Sequence, residues 1–173
     1  WLAMMAAHEL GHVLAAWLTG GTVNKVVLHP LSISRTDVLP NPQPLIVVWA
    51  GPIIGVLLPI LLWLIFHLVK LPGAYLPRFF AGFCLISNGA YIGIGAFDRI
   101  GDAGEMIRHG SEVWTLCLFG VLTVPFGLWL WHRQGPHFGL GQSRGSVDPR
   151  AAYVSLALLL LTLTTMLILS PRS

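Results

Sequence analysis

Charge is scarce in this 173-residue chain: 10% of its residues are Asp, Glu, Lys or Arg, where a soluble domain carries about 25%. With 55% hydrophobic residues and a mean hydropathy of +0.75, that scarcity excludes an ordinary soluble protein. It implies an integral, multi-pass membrane protein with the lipid bilayer as its main partner. The net charge of +3 reflects loop Lys and Arg near lipid headgroups, so no nucleic-acid partner is expected. Cysteine is nearly absent. Cys84 and Cys117 both fall in apolar runs, which excludes a disulfide framework and leaves the redox compartment open. No basic segment precedes the first apolar run, so no signal peptide is visible; the chain opens on Trp1 rather than Met, and upstream sequence is compatible with that start. There is no internal repeat.

Long apolar runs are what the chain does have, at about residues 1–18, 45–69, 79–97, 113–132 and 152–170. Each is long enough to predict a transmembrane helix. The expected fold is an all-α membrane protein of about five transmembrane helices. Its core spans 1–132, a Gly-rich linker covers 133–150, and an additional C-terminal helix lies within 151–173. The positive-inside rule gives no orientation. Lys25, Arg35, Arg99, Arg108 and Arg172 fall on one side and Lys70, Arg78, Arg133, Arg144 and Arg150 on the other, which is a tie. Between the first two runs, Gly20-Gly21 ends a helix and Thr22 to His29 alternates like a strand, with Ser32 to Val38 as its return. A short β-hairpin-like segment is therefore expected, with an edge at 22–29 open to an extended peptide, or else an amphipathic hairpin at the interface. Pro40, Pro42 and Pro44 force an extended approach to helix 2, whose Pro52 is expected in its first turns. Gly89, Gly93 and Gly95 lie within ten apolar residues at the end of helix 3. At about 1 kcal/mol per glycine relative to alanine, that segment is expected to unwind.

The first run contains His8-Glu9-Leu10-Gly11-His12, an H-E-x-x-H pattern. Residues four apart on a helix share a face and stand ~6 Å apart along the axis, so His8 and His12 can grip one ion. Glu9 is offset, close enough to act as base on a metal-activated water without being a ligand. An idle reading is costly here, because each ionised group at mid-membrane costs roughly 2.5–3.5 kcal/mol. Imidazole and carboxylate ligands around an open position favour Zn2+, although Fe or Co fits the same ligands. Ala7, Gly11 and Ala15 form a small-residue stripe beside the histidine face, which turns the site towards the helix bundle.

A catalytic zinc needs a third protein ligand, and few acids remain: Asp37, Asp98, Asp102, Glu105, Glu112 and Asp148. Asp102 lies among small residues and can approach the metal helix, but with Glu105 three positions on it also resembles a capping box. Asp98 is the alternative metal ligand, unless it pairs with Arg99 at headgroup level. His109 is near enough in sequence to orient Asp102. Asn88 offers an amide either to a developing oxyanion or to unwound backbone. His29, His67, His132 and His137 are scattered singly and read as loop or interface residues.

HELGH in the first run and Trp49-Ala50-Gly51-Pro52-Ile53-Ile54-Gly55 at the second, joined by a Gly-Gly-x-Val strand segment, resemble the site-2-protease (M50-type) family of intramembrane zinc metallopeptidases. The resemblance implies His8 and His12 as zinc ligands, Glu9 as general base and Ala50-Gly51-Pro52 as the helix packed beside the site. It implies Asp102, in Gly101-Asp102-Ala103-Gly104, as the third ligand in preference to Asp98, and relates Asn88 to the family's upstream asparagine. It covers about residues 1–110, with D-A-G in place of D-G and no PDZ domain. The expected function is zinc-dependent hydrolysis of peptide bonds in or near transmembrane segments of membrane-protein substrates. The alternatives are a membrane metal-binding or transport protein, a zinc-dependent membrane hydrolase of lipid amides, and an inactive homologue acting as an adaptor. A transporter would want further ligands through the span, and an adaptor would have no use for Glu9.

Overall fold

The computed structural model describes residues 1–141 and 147–170. Part of the 133–150 linker, with Arg144, and the final residues, with Arg172, lie outside the described residues. The elements run α1 (Leu2–Leu18), β1 (Val23–Val27), β2 (Arg35–Val38), α2 (Pro44–Leu68), α3 (Tyr75–Asp98), α4 (Gly101–Arg108), α5 (Val113–Trp131) and α6 (Pro149–Leu169). The chain is an integral, multi-pass membrane protein. Of these helices, α2, α3, α5 and α6 are long and apolar enough to cross a bilayer, whereas α1 has 17 residues. The expected hairpin lies between α1 and α2. Its two strands are antiparallel, with Val26 opposite Thr36 and an irregularity at Asn24.

Helix α2 begins at Pro44, next to the expected start at 45, and carries Pro52 inside it, in its third turn. There the missing N–H leaves the Val48 carbonyl without its usual partner. The expectation for α3 fails: it does not unwind over its glycines and stays helical to Asp98. The glycines serve close packing instead. A Cβ at Gly89 would collide with Thr123 Oγ1, and one at Gly120 would meet the Gly89 carbonyl at 2.9 Å. The intrinsic cost of glycine is offset by the approach of α3 to α5 that it permits.

The reversal comes after α3. Arg99 caps it in the left-handed region, Gly101 follows at φ +54°, and α4 folds back. A side chain at Gly101 would also run into the Tyr91 hydroxyl. Ala103 and Met106 are fully buried in a cluster with Val48, Ile92, Ala96 and Leu116. The apolar face of α4 thus docks on α2, α3 and α5, and Asp102 at its first turn is carried back towards α1. This separate helix replaces the expected loop and capping-box start to the helix at 113. Its N-cap, Ile100, makes no side-chain cap bond.

Helix α6 packs lightly, with 6% of its most apolar window buried. Ser170 Oγ accepts from the Leu28 N–H at 2.7 Å, just beyond β1. Within the expected linker, Gly135–Phe138 forms a single 3-10 turn, and His137 stacks on Tyr75 of α3 with ring centroids 4.5 Å apart.

Because Gly89 faces Thr123 at close range, Gly89→Ala is expected to destabilise the protein despite a helix-propensity gain of about 1 kcal/mol. Overpacking of this kind costs about 1–3 kcal/mol. The expected outcome is a lower midpoint of thermal unfolding in detergent micelles.

Candidate metal centre

Helix α1 presents His8, Glu9 and His12 to the interior at 6%, 3% and 6% exposure. It can lie this close to α2 because Gly11 faces the Ala50–Gly51 backbone, where a Cβ would overlap Ala50 O. Gly51 in turn sits against the ring nitrogens of His8 and His12; a side chain there would occupy the space between them. The small residues of the two helices therefore do more than pack. They keep a ligand-sized space open.

Both imidazoles are held by their far nitrogens. His12 Nδ1 donates to the Val47 carbonyl at 2.8 Å. His8 Nδ1 lies 2.6 Å from Asn88 Oδ1, and Asn88 Nδ2 donates to the Cys84 carbonyl at 2.9 Å. With the Asn88 amide oriented by Cys84, its oxygen must accept from His8. The Nδ1–H tautomer follows for both rings, which leaves each Nε2 lone pair free to bind a metal. Both Nε2 atoms face Asp102 Oδ2, at 2.7 Å from His8 and 3.5 Å from His12.

Asp102 is positioned by α4 and by Tyr91, whose hydroxyl accepts the Asp102 N–H at 3.1 Å. Its Oδ2 thereby meets the two free ring nitrogens at one point, where a carboxylate and two neutral imidazoles can share a cation.

Among the described residues, one ligand atom from each of His8, His12 and Asp102 lies within 4.8 Å of the others. Ligands of a tetrahedral ion at ~2.0–2.1 Å stand ~3.3 Å apart, so this donor set and the space kept by Gly51 fit a zinc ion. The other candidates stand apart from it. Asp98 is exposed at the end of α3. His109 lies 3.6 Å from Glu105, and among the described residues Asp102 forms its ion pairs with His8 and His12. Asn88 supports His8 through its Oδ1 and donates one of its two amide N–H groups to the Cys84 carbonyl.

Glu9 makes the contact that sequence reasoning missed: its Oε2 accepts from Thr36 Oγ1 at 2.7 Å. Tyr91 and the Val47 carbonyl were missed as well. No spacing rule links residues so far apart. Only the strand alternation that groups Thr36 with Val38 hinted at which face of β2 would turn inward. The site opens into a cavity of about 1170 Å³, lined by α1, the start of α2, α3, α4 and all of residues 30–39.

Residues 1–87 match the family described as Peptidase M50B-like. The match contains His8, Glu9, His12 and Gly51, whereas Asn88 and Asp102 lie beyond it. No curated protein and no solved structure matches the chain.

If the three donors act together, Asp102→Ala and Gly51→Leu lose bound zinc, measured by elemental analysis of the purified protein, while Asp98→Ala retains it. Asn88→Ala is expected to weaken zinc affinity by roughly 10–100-fold, because it frees the His8 ring.

Proposed function

The chain belongs to the Peptidase M50B-like family, and from that premise we propose that it is an intramembrane zinc endopeptidase cleaving peptide bonds in or near transmembrane segments. Its family and its apolar helices support a membrane metallopeptidase-type function. The observation carrying the finer reading is the meeting of His8, His12 and Asp102 beside the buried carboxylate of Glu9, all lining one large cavity.

In this reading His8 Nε2, His12 Nε2 and Asp102 Oδ2 hold the zinc. A zinc ion bound there supplies Lewis acidity, polarising a carbonyl and lowering the pKa of water towards ~7. Glu9 is the general base. Its Oε2 is held by Thr36, and among the described residues Oε1 has no hydrogen-bond partner. Oε1 is therefore the atom that takes a proton from the attacking water and passes it to the leaving amine nitrogen. Asn88 and the Val47 carbonyl keep the two imidazoles from rotating as charge develops.

The substrate must offer an extended stretch, because a helix occupies its own carbonyls with hydrogen bonds. Sequence pattern suggests 22–29 as the strand it would pair with. The lining of the cavity favours β2 instead: residues 30–39 border it, whereas β1 contributes none of its own residues besides Asn24. A peptide added along β2 would lie over Glu9. Met4, Met5, Leu31, Ile33 and Leu39 also line this space, which suits apolar substrate side chains.

Glu9→Gln is expected to keep a full complement of zinc and to lose cleavage of a reconstituted transmembrane substrate. General acid–base catalysis is typically worth 10²–10⁴-fold, so the loss should be at least a hundredfold. Unchanged turnover in the zinc-loaded variant would remove Glu9 from the mechanism.

A further inference from the structure

Glu9 is 3% exposed, and among the described residues no Lys, Arg or His forms an ion pair with it. A carboxylate so placed needs hydrogen-bond donors to offset its lost hydration. The donor it has comes from neither the metal helix nor its helical neighbours. It is the Thr36 hydroxyl, 27 residues away in β2, at 2.7 Å. We infer that Thr36 is a positioning residue for Glu9, through which the hairpin that borders the substrate cavity sets the placement of the base. The inference rests on the peptidase reading of the site.

The strand fixes which side chain can do this. Thr36 stands opposite Val26 and, by strand alternation, shares a face with Val38. Val38 packs on Ala15, Ala16 and Val47, which holds that face against α1. Arg35 and Asp37 take the other face, where they pair with each other at 3.5 Å and are about half exposed. A slip of one residue in register would present a charged side chain to Glu9 in place of the hydroxyl. Register in this short hairpin is thus tied to catalysis. A charge-assisted hydrogen bond fixes Oε2 and leaves Oε1 for proton transfer. An extended peptide lying along β2 would also stiffen the strand that carries Thr36, so substrate binding and base placement share one element.

The test uses the full-length, zinc-loaded protein in detergent micelles with a transmembrane substrate. Thr36→Val keeps the size and branching of the side chain but removes the hydroxyl. It is expected to lower kcat on the order of tenfold or more, with KM and zinc content unchanged, and Thr36→Ser is expected to restore most of kcat. Four results would overturn the inference: wild-type kcat in Thr36→Val, a change in KM alone, loss of zinc, or Thr36→Ser as impaired as Thr36→Val. Inactive wild-type protein, or an active Glu9→Gln, would instead defeat the peptidase reading. The hydrogen bond is then judged by amide hydrogen exchange across residues 23–38. Glu9→Ala and Thr36→Val should each speed exchange severalfold, and the double variant no more than either alone. Additive effects would show that the two side chains are not coupled.

Discussion

Two imidazoles and two carboxylates inside an apolar helical bundle must find partners, and much of this structure can be understood as supplying them. Stranding even one ionised group at membrane depth costs roughly 2.5–3.5 kcal/mol, comparable with the burial of a large apolar side chain. His8, His12, Glu9 and Asp102 therefore constrain the fold as strongly as its hydrophobic contacts do. Each far nitrogen of the histidines has an acceptor, Asp102 faces both near nitrogens, and Glu9 has its hydroxyl.

Those partners come from separate parts of the chain: the start of α2, the middle of α3, the first turn of α4 and the second strand of the hairpin. Bringing them together requires close helix approach, which explains the distribution of small residues. Gly11 admits α2, and Gly51 leaves room beside the ring nitrogens. The turn at Arg99 and Gly101 sends α4 back along α3, and the burial of Ala103 and Met106 holds it there. Without that docked face, Asp102 would sit at the end of a flexible connection, able to meet the histidines but not confined to them.

The hairpin belongs to the same arrangement. It borders the cavity that Glu9 also lines, and its Thr36 hydroxyl donates to Glu9. Helix α6, by contrast, buries little of its surface; it contacts α1, buries Met166, and is followed by Ser170, whose hydroxyl accepts from the Leu28 N–H. The polar centre and the four elements around it are consequently where change would be felt most.

Much of this architecture was legible in the residues. Five apolar runs marked the long helices, β-branched alternation marked the hairpin, and the four-residue spacing of His8 and His12 marked a ligand pair. Those features are local, because hydropathy and periodicity act within one segment. The fate of Gly89, Gly93 and Gly95 was not legible. Glycine weakens an isolated helix, and only the presence of α5 at close range turns that weakness into packing. Nor could sequence choose between capping and facing the histidines for Asp102, or connect Thr36 with Glu9. Sequence by itself determined a membrane-embedded helical chain with two histidines and a carboxylate on its first helix. Tertiary structure decided which distant side chains meet them, because hydrogen bonds and ligand contacts depend on ångström-scale placement in space, and the path that α4 and β2 take is set by packing between segments.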